Sequence, residues 1–431
     1  MEASRSYLYV TWEGGGNVAP VLGSARRLAS RGHRVTVLTE PCLRQPVEEI
    51  GARFVPFTQH FTRTDRTEDL VRDSEAKSPL GRLERAFDNL MFGPSRIVAE
   101  ETLATIRERS PDVLVVDLNM VGALLAGEAA GLPRVVLFHM PEYLPGPGRP
   151  AAGPGFLPRE DWIGHLRDGL FIRMFYGRLD KRVDVFNEAR RAVGLAPISS
   201  GKEILDVYHE ADLRLIQTCE AFDFPITPAP ENVRYVGPVL DDPDWTSGTW
   251  NDPWPDGDER PLVVVSVSST PQNQHGVLQR TITALGRLEV RGLVTLGPAM
   301  SGETFDVPPN VVTMPSVPHT QVFPHADAVV THAGHGTVMR ALAHGLPLVC
   351  LPMGRDQNDN AARVLTKGVG LRLKPSAKPG RIRSAVHRVL EEPSFRASAR
   401  RLQRVITKDA AADRATQELE RVGRAGVAVI G

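Results

Sequence analysis

Two histidines, two glycines and a threonine fall within the stretch Thr331-His332-Ala333-Gly334-His335-Gly336-Thr337, and Asp356 and Gln357 stand on a second loop soon after. These residue types at this spacing suit one chemistry. Small residues leading into helical spacing set the first N–H groups of a helix at the turn. Those groups lack internal partners and carry the positive end of the helix dipole. Gly334 and Gly336 let a phosphate come close to the backbone, and His332 and Thr337 add side-chain donors. Asp356 and Gln357 offer acceptors to sugar hydroxyls. A phosphate at one end and a polyol at the other describe a nucleotide sugar. The glycines taken alone would fit an ordinary strand-to-helix turn equally well.

The elements around this stretch read as strand, turn, helix and strand. An apolar β-branched run ends at Val330, helical spacing over 338–344 stops at Gly345, and a second apolar strand covers 348–351. The first half opens the same way. A strand over 6–12 meets the glycine-rich turn 13–20, a helix follows over 21–30, and 33–39 is the next strand, a β–turn–α–β unit with a parallel pair. Further strands are expected at 52–57, 112–117, 134–139, 213–218 and 233–236, then at 261–267, 291–296, 311–315 and 370–373. Helices are expected over 83–109 (interrupted at Gly93-Pro94), 161–194, 381–391 and, as one element, 394–422. The polar stretch 58–79 reads as a mobile loop or short helix at the edge where open α/β sheets bind ligands. The Pro/Gly-rich stretch 141–158, carrying Tyr143, Leu144, Phe156 and Leu157, fits a linker and the wall of an apolar cleft equally. The segment 241–260, rich in Pro, Asp, Gly and Trp, is the clearest domain boundary. The expected organisation is a first domain 1–240, the linker 241–260, a second domain 261–405 and a terminal helix 406–431. The fold class is α/β, with two doubly wound Rossmann-like domains facing across a cleft.

Composition narrows the function. Lys+Arg and Asp+Glu balance at 51 each, which speaks against nucleic acid as a partner. The three cysteines, Cys42, Cys219 and Cys350, are scattered and suggest neither a disulfide framework nor a zinc site. The first residues carry no signal-peptide pattern and no run reaches transmembrane length, so a cytoplasmic protein without integral membrane association is expected. The dinucleotide fingerprint G-x-G-x-x-G is absent from the first turn, although Glu40 would suit a ribose.

The segment H-A-G-H-G-T … A-L … G-L-P … P … D-Q-N-D-N-A resembles the donor signature of family 1 glycosyltransferases, whose bacterial form reads roughly H-G-G-x-G-T … A-L … G-x-P … P … D-Q … N-A. The resemblance implies the GT-B fold, with the last helix crossing back to the first domain. It implies inverting, metal-independent transfer without a cofactor, from a nucleotide diphosphate sugar as co-substrate to a small hydrophobic hydroxylated natural product, as in antibiotic biosynthesis. It assigns donor binding to Ser269, His319, His332, Gly334, His335, Gly336, Thr337, Asp356 and Gln357, and calls for no metal. Ser269 stands in the family's Ser/Thr turn near the phosphates, and His319 replaces the glutamine of the x-P-Q turn at the nucleobase. Arg340 takes a position where plant relatives carry a ribose-binding glutamate, which implies a deoxyribose donor or a ribose held otherwise and leaves both dTDP and UDP open. In the family turn G-H-V-x-P, which faces the acceptor, Gly16, Val18 and Pro20 match, but Asn17 stands at the histidine. An amide is no base near neutral pH. The candidates for the base are Glu13, then Asp117, then His139, with Asn17 orienting the acceptor. Without that histidine, a nucleotide-sugar-binding partner protein and a GT-B nucleotide-sugar epimerase stay open, as does a homodimer.

Overall fold

Buried β-branched runs alternating with amphipathic helices favour a parallel sheet covered on both faces, and the chain forms two. The computed structural model describes residues 4–76, 78–246 and 248–430. Residues 1–3, 77, 247 and 431 belong to the expected first domain, the 58–79 stretch, the linker and the terminal helix, and lie outside the described residues.

The first sheet holds β1 Ser6–Val10, β2 Arg34–Thr39, β3 Arg53–Pro56, β4 Val113–Asp117, β5 Arg134–Phe138, β6 Leu213–Ile216 and β7 Val233–Tyr235, in the order β3-β2-β1-β4-β5-β6-β7. The second holds β8 Leu262–Ser266, β9 Arg291–Thr295, β10 Val311–Met314, β11 Ala328–Thr331, β12 Leu348–Cys350 and β13 Gly370–Arg372, in the order β10-β9-β8-β11-β12-β13. Every pairing is parallel. The strand order reverses between β1 and β4 in one sheet and between β8 and β11 in the other. Open α/β sheets bind ligands outside the carboxyl ends of their strands at such reversals. The glycine-rich turn after β1 and Asp117 at the end of β4 lie at the first reversal. The Ser268-Ser269-Thr270 turn and His332 lie at the second.

Three helices depart from expectation, and the one expected over 161–194 is two, Trp162–Asp180 and Val183–Ala192. The single helix expected over 394–422 is Pro393–Ala411 followed by Arg414–Ile430. Ile406 packs in the second sheet's core, whereas Leu419 and Val422 pack in the first with Tyr7, so the chain must turn between them. It turns at Asp413, whose φ is +48° and whose carboxylate accepts from Thr416 Oγ1 at 2.6 Å. Arg31 on the helix Val18–Ser30 side then pairs with Glu420 at 3.0 Å. The helix expected over 83–109 begins earlier, as Pro79–Ala86, widens into a π-helical turn Phe87–Met91, and restarts as Ser95–Arg109. It breaks at Gly93, where a Cβ would lie 1.8 Å from the Asp88 carbonyl oxygen.

The connecting segment is tied to both halves. Asp241 and Asp244 pair with Arg26 and Arg66 of the first half, both at 2.7 and 2.6 Å respectively. Asp242 accepts from the His319 and Thr320 N–H groups of the second, at 2.9 and 3.2 Å. Among the described residues no helix is long and apolar enough to cross a membrane.

Candidate active site

A cleft of about 1040 Å³ runs between the two sheets, lined from both reversal points. On its second-half side, β11 delivers His332, and Gly334 is the N-cap of the helix His335–Ala343. The first N–H groups of that helix, on His335, Gly336 and Thr337, thus open on the cleft these residues line. A Cβ on Gly334 would lie 2.3 Å from His332 Nε2, so the glycine is demanded by the histidine ring as well as by any phosphate. Ala333 holds φ +70° at the position where the family pattern has glycine. A residue with a Cβ gives up about 1–2 kcal/mol in that conformation, and such strain gathers at functional sites.

Burial keeps both histidines of the turn neutral, with His332 held down to about 4 and His335 to about 3. His332 can therefore donate an N–H to an anion but brings no charge. The His335 ring is committed elsewhere, its Nε2 donating to the Gln217 carbonyl of the first half at 3.3 Å. At the far end of the cleft His319 stacks on Phe323, with ring centroids 4.3 Å apart. Its Nδ1 accepts from Arg340 Nε at 3.3 Å, and burial and the Arg340 charge hold its pKa well below the ordinary value. Ser269 reaches the cleft beside Gly15, whose φ of +77° and missing Cβ (2.6 Å from Ser269 Oγ if present) let the two halves meet.

The two sugar-side candidates differ. Asp356 lines the cleft, with one oxygen accepting from Asn360 Nδ2 at 2.7 Å, and burial raises its pKa. The Gln357 side chain is spent inside the protein. Its Oε1 accepts from the Met353 and Gly354 N–H groups at 2.7 and 3.1 Å, and its Nε2 donates to Gln272 at 2.7 Å. It shapes the loop that presents Asp356 while itself lining the cleft.

On the first-half side, Asn17 and Asp117 meet across the reversal. Asn17 Nδ2 donates to Asp117 Oδ2 at 2.8 Å and to the Trp12 carbonyl at 2.9 Å, while Asn17 Oδ1 accepts from the Gly14 N–H at 3.0 Å. Asn17 lines the cleft, yet its amide is used in holding the acid and the turn. Glu13, first among the sequence candidates for the base, does not line the cleft. Its Oε1 accepts from the Gly15 N–H at 2.6 Å and its Oε2 pairs with Arg66 at 3.3 Å, behind the turn. Burial pushes its pKa up to about 7 against the pull of Arg66. Alternation explains the misreading: Glu13 follows Trp12, which faces the cleft, so its side chain falls on the other side. Glu40, the ribose candidate of the dinucleotide reading, is buried and paired with Arg63 at 2.6 Å. His139, two residues past the end of the register pair Asp117–Leu137, lines the cleft with Nδ1 3.6 Å from Asp117 Oδ2.

The remaining wall is apolar. The Pro79–Met91 segment contributes Leu83, Phe87 and Leu90, and the helix Trp162–Asp180 contributes Phe171 and Phe175. The 141–158 stretch supplies Tyr143, Leu144 and Phe156. It is fastened to the second half, with the Gly153 and Gly155 N–H groups donating to Asp359 at 2.5 and 2.8 Å and Arg372 donating to the Gly155 carbonyl at 2.7 Å.

Residues 279–422 match the family model described as erythromycin biosynthesis protein CIII-like, C-terminal domain. Over 412 residues the chain is 32% identical to 4'-demethylrebeccamycin synthase of Lentzea aerocolonigenes, covering 92% of this chain and 94% of that protein. The chain belongs to the natural-product glycosyltransferases. Solved glycosyltransferases share the fold. That of kitacinnamycin aligns over 98% of this chain and 100% of its own, at TM-score 0.76 and 22% identity. VinC, solved in complex with dTDP, aligns over 98% and 99%, at TM-score 0.63 and 21% identity. The two parallel sheets facing a cleft are the GT-B architecture.

Within this glycosyltransferase a cation beside Asp356 escaped the sequence reading. Arg355, directly before Asp356, lines the cleft, donates to Thr270 Oγ1 at 2.9 Å and pairs with Asp73 of the first half at 3.0 Å. It bears electrostatically on His332. Its place next to the D-Q pair was the available signal. Among the described residues of 58–78, part of the stretch expected as a mobile loop or short helix, the regular structure is one 3-10 turn at Asp73–Glu75, and this pair anchors it.

Proposed function

We propose that this glycosyltransferase moves a sugar, with inversion and without a resident metal, from a nucleotide diphosphate sugar to a hydroxylated, largely apolar small molecule. One observation carries the reading: a single cleft joins the helix N-terminus at Gly334–Thr337 to Asp356 on one side and to an apolar wall on the other. The diphosphate lies against the N–H groups of His335, Gly336 and Thr337, with the Thr337 and Ser269 hydroxyls and a neutral His332 donating to it and Arg355 supplying charge. Asp356 accepts from sugar hydroxyls. His319 and Arg340 border the nucleoside, and Arg340, a donor without acceptor capacity, suits a deoxyribose better than a diol. The dTDP bound to VinC is consistent with this. The acceptor lies against the aromatic side chains Phe87, Phe156 and Phe171 of the apolar wall. The acceptor oxygen forms its bond to the anomeric carbon as the bond from that carbon to the β-phosphate oxygen breaks. The electron pair leaves on the diphosphate and the acceptor proton goes to a base.

A thermal-shift panel with dTDP, UDP, GDP and ADP tests the donor site. A ligand at about 100 times its dissociation constant adds about 2.7 kcal/mol of stability, and dTDP is expected to give the largest shift. A flat response to all four would overturn the reading.

A further inference from the structure

Position 17 cannot supply the base, and Glu13 does not line the cleft, yet the acid that would support a histidine there is retained. Asp117 is buried at the carboxyl end of β4, and everything that hydrogen-bonds it is neutral. Its Oδ1 accepts from the Asn119 N–H at 3.0 Å and from Asn119 Nδ2 at 3.3 Å. Its Oδ2 accepts from Asn17 Nδ2 at 2.8 Å and Thr11 Oγ1 at 3.3 Å. Among the described residues no lysine or arginine stands within ion-pair distance of it, and the one titratable cation that does is His139. The His139 Nδ1 faces Asp117 Oδ2 at 3.6 Å and is buried without a hydrogen-bond partner. Closing that gap to hydrogen-bond length takes a shift of less than an ångström, within what a substrate complex tightens. Nδ1 turned to the acid leaves Nε2 on the opposite edge of a ring that lines the cleft, and no group among the described residues hydrogen-bonds it.

We propose that His139 is the catalytic base of the transfer and that Asn17 is a positioning residue, its amide aiming the Asp117 carboxylate at the His139 ring. This rests on the glycosyl-transfer reading above. The pattern histidine has in effect moved from the turn after β1 to the end of β5, keeping the same acid. Asp117 fixes the Nδ1–H tautomer, Nε2 takes the acceptor proton, and the imidazolium that results lies beside a carboxylate that stabilises it. The acceptor oxygen bonds the anomeric carbon as the diphosphate departs with the electron pair, so charge and protons balance. From the second half, Asp356 and His335 face the same ring electrostatically. The ring therefore stands on the cleft within electrostatic reach of the loop assigned to the sugar.

The test is a set of variants of the full chain assayed for transfer, with nucleotide thermal shift as a separate readout. His139→Gln is expected to lower kcat by about 10²–10⁴-fold, the range for loss of a general base, while the dTDP shift stays at the wild-type value. Wild-type kcat/KM should fall as pH drops through the ionisation of the base, and His139→Gln should lose that acid limb. Asn17→Ala should move the midpoint of the limb, which a purely structural role would not do. In the His139→Gln background, Asn17→His returns the pattern histidine to Asp117 and should recover at least tenfold. Folded His139→Gln with turnover near wild type, or a wild-type profile without an acid limb, overturns the proposal. A wild-type protein with no response to nucleotides would instead sink the transfer reading beneath it.

Discussion

The two strand-order reversals face the same cleft and are built differently. At the β8/β11 reversal the groups proposed to meet a ligand are mostly backbone: the helix start at Gly334–Thr337 and the turn at Ser268-Ser269-Thr270, with two histidines held neutral by burial. At the β1/β4 reversal the groups proposed for proton transfer are side chains, His139 on the cleft with Asp117 and Asn17 supporting it, drawn from a turn and two strand ends that are far apart in sequence. Backbone sites need particular small residues at fixed spacing and leave a contiguous signature. A side-chain constellation needs only that its atoms converge, so its members can move between elements while the chemistry is kept.

The largest contrast should come from the glycine cap. Gly334→Val drives a side chain into His332 and off the helix start, removing two or more hydrogen bonds to an anion. At about 1.5–3 kcal/mol each for bonds to charged groups, dTDP affinity should drop by at least about a hundredfold by titration calorimetry. Acceptor binding, assigned to the other half, should change little. A valine variant with undiminished nucleotide affinity would break the assignment of the phosphates to this turn. Arg355→Gln removes one charged partner of the donor while leaving the helix start intact. Its kcat/KM for the donor should fall by about ten- to a hundredfold on the same magnitude.

Legibility follows the same division. The strand alternation, the donor turn from His332 to Thr337 and the presence of Asp356 could be read in the chain because each is local: a period, a cap, a dipeptide. The direction of Glu13 could not, since it depends on Trp12 taking the cleft side. Nor could the choice of His139, which depends on β4 and β5 being neighbours. Gln357 shows a further limit. It stands where a sugar contact is expected, but its amide braces the Met353-Gly354 backbone. The cross-domain ties, Asp359 to Gly153 and Gly155 and Arg355 to Asp73, join residues with no periodic relation.

Smaller effects sharpen the account of the β1/β4 side. Glu13 has its folded pKa raised to about 7, above the ordinary value of 4.5. The folded state therefore binds that proton more tightly than the unfolded one, so its contribution is fully present below pH ~4.5 and is lost as pH rises through about 7. Replacing the carboxylate should thus help most at alkaline pH. Glu13→Gln is expected to raise unfolding free energy at pH 8 by about 1–2 kcal/mol, less than the full shift would give because the Arg66 pairing is lost. It should change little at pH ~4.5 and below, as measured by urea unfolding. Equal effects at both pH values would place the carboxylate in a more solvated setting. Ala333→Gly relieves a left-handed alanine worth about 1–2 kcal/mol but adds freedom to the unfolded chain of about 0.5–1 kcal/mol. A net gain of up to about 1.5 kcal/mol by urea unfolding is expected, with a loss indicating that the alanine methyl is needed in the second core.

The most direct test of the central claim is a crystal structure of the protein with dTDP bound. The account predicts diphosphate oxygens within hydrogen-bond distance of the His335–Thr337 N–H groups, with Arg355 turned to them, the nucleoside toward His319 and Arg340, and the apolar wall left free. A nucleotide seated instead on the turn after β1, or a diphosphate away from Gly334–Thr337, would contradict it.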